Sequence, residues 1–259
     1  MPQILSFDVG MRNLSLCWLE YKYADGDQPT PWSNVRVLKW EVLDILDDVK
    51  NAKTVNIHDV SKKLMDVLQE RIDIVAQNDL DYIAIEQQPM GGGLFGSSNK
   101  SGSVRMKLMQ HVIINFYELF YRWHPRPKVP EIVSISPGNK LKCVLEQNNV
   151  TTTPLKKTLD LPYRQRKQKA VEYCVQLMQW IQPLSDEVKA LWCERKKQDD
   201  LADCFMQAVY VIQTSKPKPP KTKTPKKSKE QPTIQHESDS EEEEEEEEKP
   251  TKKRKIKTT

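Results

Sequence analysis

The sequence predicts an α/β fold in which one mixed sheet is covered by helices, and three observations carry that prediction. Short apolar runs of strand character stand close together at the start of the chain. Further strand runs alternate with amphipathic helical patterns through the middle. The segment before residue 214 then turns wholly helical in period.

In order, ILSFDV reads as a short strand, a turn follows at Gly10, and LSLCWLEY reads as a second strand returning beside the first. VRVLKWEVL is a third, reached by a connection from Lys22 to Asn34 that is longer than a tight hairpin needs. From Asp59 to Gln77, Val60, Leu64, Val67, Leu68, Ile72 and Val75 recur at helical spacing. YIAIE is a buried strand, followed by the loop QQPMGGGLFGSSNKSGS and a helix from Val104 to Trp123 with Leu108, Val112, Phe116, Leu119 and Phe120 on one side. That stripe serves either core packing or an interface. EIVSIS is the fifth strand, and helices are predicted near Asn139 to Gln147, Tyr163 to Ile181, Ser185 to Glu194 and Asp199 to Ile212.

Apolar residues make up 37% of the 259, low for a chain packed throughout. From Ser215 onward periodicity disappears: Lys, Pro, Thr and Ser give way to Glu241 to Glu248 and then KPTKKRKIK. The folded domain is therefore placed at 1–214 and a disordered tail at 215–259. Cys17, Cys143, Cys174, Cys193 and Cys204 are odd in number and scattered, which predicts reduced thiols rather than a disulfide framework or a zinc site. The first apolar run, Ile4 to Phe7, is too short for a signal or a span, so a protein that is neither secreted nor membrane-bound is expected.

A net charge of +3 says little about nucleic acid by itself. Its distribution says more. Between Arg122 and Lys169 there are eleven Lys or Arg against the three acids Glu131, Glu146 and Asp160. This segment is a candidate phosphate-binding surface, the bland alternative being a solvated basic face.

The chemistry sits where acids interrupt apolar strands. Asp8 ends SFD and Glu86 ends IAIE, positions where a carboxylate is costly unless a cation or hydrogen bonds compensate it. If the first and fourth strands are neighbours, both acids emerge at one end of the sheet. KKQDDLADC adds Asp199, Asp200 and Asp203 at a helix start, with Asp200 and Asp203 three apart and facing the same way. Singly, each acid also reads as a strand end or a helix cap. Together, without His or Cys, they form a hard oxygen site suited to Mg²⁺, with Mn²⁺ as a substitute. Two such ions are able to support phosphodiester cleavage.

FDVGMRNLS, IAIEQQP, VSISPGNKLK and DDLADC, in that order, resemble the RuvC-like Holliday-junction resolvases, and especially the branch of poxviruses, iridoviruses and fungal mitochondria. The resemblance spans 1–214. It implies a ribonuclease-H-like five-stranded sheet, a homodimer, two divalent ions per active site and paired nicks across a four-way DNA junction. Asp8, Glu86, Asp200 and Asp203 then become the metal-holding catalytic acids, Asp200 being preferred to Asp199 by the spacing to Asp203. A basic residue near the scissile phosphate is also implied; Lys140, Lys142 and Lys167 are candidates, and Arg164 and Arg166 join them as DNA contacts. Phe95, an apolar ring between glycines, is a candidate wedge or stacking residue at the junction centre.

The likeness of DVGMRNLS to the first phosphate loop of actin-like ATPases is set aside, because those proteins need a duplicated domain. The glycine-rich loop lacks the order of a P-loop, and no small-molecule cofactor is expected. A nuclease acting on RNA–DNA hybrids or flaps, or a non-catalytic junction-binding scaffold, remains the alternative. KKSK and KKRK suit nuclear import, while a viral enzyme would also work at a cytoplasmic replication site.

Overall fold

Alternate residues of QILSFD face opposite sides of a strand, and that alternation organises both layers of the molecule. A computed structural model describes residues 1–22, 32–49, 51, 54–88, 100–143, 146–147, 150–151, 161–195 and 197–215. Its strands are β1 (Gln3–Asp8), β2 (Leu14–Tyr21), β3 (Val35–Leu43), β4 (Tyr82–Glu86) and β5 (Glu131–Ile135), in spatial order β3-β2-β1-β4-β5. β1, β2 and β3 form an antiparallel meander, while β1, β4 and β5 run parallel. This is the ribonuclease-H-like mixed sheet expected from the sequence. The predicted tail, 215–259, lies outside the described residues apart from Ser215.

One face of the sheet presents Leu5, Phe7, Leu14, Leu16, Ile83 and Ile85 to helices α1 (Ile57–Gln69), α2 (Ile72–Ala76) and α3 (Lys100–Trp123). The other presents Ile4, Cys17, Leu19, Tyr21 and Ala84 to α4 (Tyr163–Met178), α5 (Asp186–Glu194) and α6 (Asp199–Thr214). All five cysteines are unpaired, and only Cys193 is exposed. Among the described residues no helix is long and apolar enough to cross a membrane.

The chain turns from β1 to β2 through Gly10, where a Cβ would meet the Asn13 carbonyl oxygen at 2.6 Å, so only glycine fits. α1 begins at Asn56, whose side chain accepts from the His58 N–H, and buries Val60, Leu64 and Leu68. The single helix expected from Asp59 to Gln77 is in fact two. At the break, the Arg71 N–H bonds the Leu68 carbonyl and the Arg71 side chain swings to Glu41 on β3, with Nε 2.8 Å from Oε1. Tertiary pairing overrides a continuous helical pattern there.

The helix expected over Asn139 to Gln147 is also corrected. A 3₁₀ turn, Asn139–Lys142, ends at Cys143 in extended conformation, and a small ladder of β6 (Glu146–Gln147) with β7 (Val150–Thr151) follows. The turn buries Lys140 and Leu141, and burying a lysine requires anionic partners that a surface helix would not give it.

α6 is apolar nearly all round, the mark of a central buried helix. It lies on the face where β1, β2 and β4 carry the small residues Ser6, Ser15 and Ala84. Its start is fixed twice: the Ser15 hydroxyl donates to the Asp200 carbonyl at 2.7 Å, and the Trp40 indole donates to the Leu201 carbonyl at 3.1 Å. Trp40 also packs against Trp192 of α5 and Phe205 of α6, with ring centroids 5.3 and 5.2 Å apart.

α3 uses its length on two sides. Met109, Ile113, Tyr117 and Tyr121 enter the core, with Val112, Phe116 and Phe120 half-buried beside them. Val104, Leu108, Leu119 and Trp123 stay exposed. The core stripe thus runs one residue on from the predicted one, whose Val112, Phe116 and Phe120 are half-buried and whose Leu108 and Leu119 belong to an open apolar flank.

Candidate active site

The register Phe7↔Ile85 between parallel β1 and β4 brings the next residues, Asp8 and Glu86, together at the carboxyl ends of their strands. Both alternate onto the face covered by α6, whose first turn delivers Asp200 and Asp203 to the same place. The four acids line one cavity of about 330 Å³, together with Gly10, Arg12, Gln88, Lys140, Tyr163, Arg166 and Lys167. Asp199 is not in the lining; its carboxylate turns to Lys167 at 3.4 Å and Lys197 at 3.6 Å.

Lys140 sits at the centre. Its Nζ lies 2.8 Å from Asp203 Oδ2, 3.0 Å from Glu86 Oε1 and 3.9 Å from Asp8 Oδ1. Only 8% of its side chain is exposed, and only 1% of that of Asp203. Lys167 approaches Asp203 from α4, and Lys197 holds Asp200 at 3.0 Å. The site is therefore an alternation of acids and ammonium groups, in which each buried charge faces its opposite.

Burial pushes the Asp8 carboxyl well above the ordinary carboxylate range; Lys140 pulls it down, while Glu86 and Asp203 add to the rise. For Glu86 burial also acts upward, but Lys140, the proton shared with Asp8 and the Gln88 amide at 2.7 Å outweigh it and hold this carboxyl below its usual value. The two neighbouring carboxyls are thus pushed in opposite directions, Asp8 up by burial and Glu86 down by Lys140 and its hydrogen bonds. Burial would lower Lys140, yet Asp8, Asp203 and Glu86 overcome it and raise the ammonium above its normal range. Lys167 is raised against burial by Asp203 and Asp8 in the same way.

These donors suit a hard divalent cation in their chemistry: all are carboxylates, and Asp203 Oδ1 is buried with no hydrogen-bond partner among the described residues. Among the described residues no three acids stand close enough to ligate one ion as they are; Lys140 occupies the point on which they converge. An ion entering there would displace an ammonium, exchanging one positive charge for another.

The basic candidates divide. Lys140 is enclosed by acids rather than displayed to a ligand, and Lys167 is half-buried against Asp203. Arg166 lines the cavity, and its Nε is buried without a partner among the described residues. Arg164 is exposed, as is Lys142, whose Nζ lies 2.8 Å from Asn139 Oδ1. Phe95 and its loop lie outside the described residues.

Sequence reasoning did not single out Arg12 of the cavity lining, nor Gln110 and Lys197, which hold residues of that lining from outside it. Arg12 is held at the rim by Asp44, 3.2 Å away, and by the Val49 carbonyl. Gln110 is buried on α3, accepts from the Gln88 N–H at 2.9 Å and donates to the Ser134 hydroxyl at 3.1 Å. It steadies the strand end that carries Glu86. Lys197 was legible as the residue three before Asp200; no local pattern marked Gln110.

Fold and site together define a ribonuclease-H-like protein with a carboxylate and lysine centre at the carboxyl ends of neighbouring strands. Solved structures similar to this chain are the yeast mitochondrial Holliday junction resolvase (16% identity, 82% of this chain and 78% of that one, TM-score 0.49) and the fowlpox virus Holliday junction resolvase (16%, 81% and 96%, 0.40). Thermus thermophilus RuvC in complex with a Holliday junction substrate is similar at 10% identity over 82% of this chain and 94% of that one, with a TM-score of 0.45. No family model and no curated protein matches the chain.

Proposed function

We propose that this protein is a metal-dependent endonuclease that resolves four-way DNA junctions by paired, symmetric nicks. The observation that carries the reading is the convergence of Asp8, Glu86, Asp200 and Asp203 on one open cavity whose far wall is the basic start of α4. Asp8, Glu86 and Asp203, with Asp200 beside them, are the residues that would hold two Mg²⁺ ions, Mn²⁺ serving as a substitute. Bound ions supply an activated water and stabilise the leaving oxygen of a phosphodiester.

The chain's own groups do the rest. Glu86 is held below the usual carboxylate range and Asp8 above it, so the two differ in how readily each offers a carboxylate to an ion. Lys140 and Lys167 neutralise the acids until a cation and a phosphate arrive, and the guanidinium of Arg166, in the cavity lining, is placed to meet a phosphate oxygen. Two cuts of like polarity require two sites related by a two-fold axis, so the reading includes a homodimer, with the exposed Val104, Leu108, Leu119 and Trp123 flank of α3 as its surface. Recombination intermediates, or branched genomes during viral DNA processing, are the matching substrates.

The test is cleavage of a synthetic four-way junction beside linear duplex and RNA–DNA hybrid, with Mg²⁺, by wild type and Glu86→Gln. Symmetric nicking of the junction, abolished in the variant, is the expected result. Binding without cutting would replace the enzyme by a scaffold, and cutting of the hybrid alone would make it a ribonuclease. Sedimentation of wild type and Leu119→Glu reads the dimer, which the charge should split.

A further inference from the structure

We propose that Tyr163 is a stacking platform for an unpaired nucleobase next to the phosphate being cut, and so helps this site choose branched DNA over plain duplex. The inference rests on the nuclease reading above. Tyr163 is the first residue of α4 and lines the same cavity as the four acids. Its side chain is one of the large apolar groups left open to solvent, 68% exposed, at a point where no core needs it.

The ring is not idle on both sides. The Arg166 guanidinium carbon lies over it 6.0 Å from the centroid, and the Lys167 ammonium lies over it at 5.9 Å. These residues stand three and four positions along α4, on the same side of the helix as Tyr163. Cations at about this range are attracted by the negative face of the ring and limit where it rests. Lys167 is in turn bound to Asp203, so the platform is tied to the acid cluster through a single side chain. The surface that remains open is an aromatic plane beside a cationic edge.

That combination fits one ligand class. A nucleobase offers a flat π-face, and its phosphate offers an anion to the guanidinium of Arg166, which lines the same cavity. In an intact duplex the base faces are stacked against their neighbours and beyond reach of a ring at the cavity mouth. At a branch point a base can leave the stack, at a cost that is smallest where pairing is already broken. Tyr163 would receive the base there, while the adjoining phosphate reaches the acids behind it. Specificity for branched DNA then comes partly from stacking, without any base-edge hydrogen bond.

The experiment compares wild type, Tyr163→Phe and Tyr163→Leu under single-turnover conditions on junctions that are intact or carry one abasic nucleotide, scanned across the branch point. Thermal melting checks that both variants fold. Loss of the aromatic plane should slow cutting of the intact junction by roughly tenfold to a hundredfold, the usual cost of one base–aromatic stack. Phenylalanine should preserve the rate. At one abasic position wild type should fall to the rate of the leucine variant, which loses nothing further. A leucine variant as fast as wild type, or one equally impaired at every abasic position, would overturn the proposal, the second result marking a merely structural role.

The same junctions carrying 2-aminopurine at that position, with Ca²⁺ in place of Mg²⁺, read stacking independently of cutting. Quenching by wild type and Tyr163→Phe but not by Tyr163→Leu is expected. That pattern would sustain the platform even if no strand were cut, whereas failure of wild type to cut with Mg²⁺ would count against the nuclease reading alone. Equal quenching by all three would sink the platform.

Discussion

Replacing Lys140 by methionine keeps the length of the side chain and removes the charge at the centre of the site. In the metal-free protein the ammonium lies within 3.9 Å of three carboxylates, in surroundings almost closed to water. Its loss leaves Glu86 and Asp203 facing each other with no cation between them except Lys167 at one edge. Removing one partner from a buried ionic cluster costs about 3–5 kcal/mol. For a folded domain of this size each kcal/mol lowers Tm by roughly 2–4 °C, so a drop of about 6–20 °C is expected in chelator. Mg²⁺ should then restore more stability to the variant than to wild type, because in wild type the ion must first evict the ammonium. Differential scanning fluorimetry across a Mg²⁺ titration measures both effects. A metal-free Tm within about 2 °C of wild type would refute the idea that Lys140 holds these acids together. A Mg²⁺ gain no larger than that of wild type would refute the idea that ammonium and metal compete for one place.

Two further expectations follow from particular residues. The Asp8 carboxyl is raised in the folded protein, so its contribution to metal-free stability is fully present below the ordinary carboxylate range and is lost as pH rises through the raised value. Metal-free Tm should fall with pH across that window while the Mg²⁺-induced gain grows; Asp8→Asn should flatten the first trend, and a wild-type gain independent of pH would contradict the assignment. Trp40→Ala removes the ring wedged between Trp192 and Phe205 and the donor to the Leu201 carbonyl, at a cost of about 3–5 kcal/mol. Hydrogen exchange should accelerate from Leu201 to Phe205 first, and uniform acceleration over the whole sheet would show that Trp40 does not anchor α6 in particular.

The parts of this molecule that can be read from sequence are those whose cause is local. Three consecutive strand runs give the meander, and an acid at the end of each of two apolar runs places Asp8 beside Glu86 once the strands are paired. The spacing of Asp200 and Asp203 puts them on one helix face without knowing where that helix lies. What escaped depends on partners distant in the chain. Lys140 looks like any lysine after a turn until Asp8, Glu86 and Asp203 surround it, and that encirclement is also why a 3₁₀ turn stands where a helix was expected. Arg71 divides a continuous amphipathic pattern because Glu41 on another strand captures it. Gln110 gives no sign in the sequence, since two of its partners, Gln88 and Ser134, belong to other elements and only Lys107 is a neighbour on its own helix.

The hydroxyl of Ser15 and the carbonyl of Asp200 meet across 185 residues of chain. During synthesis the sheet can pair its first three strands long before α6 leaves the ribosome, and until then half of the acids have no place to stand. A fragment ending before Asp199 would carry Asp8 and Glu86 with only lysines for company. The start of α6 thus completes the centre: a partly made or degraded copy that ends before it lacks two of the four acids that line the cavity.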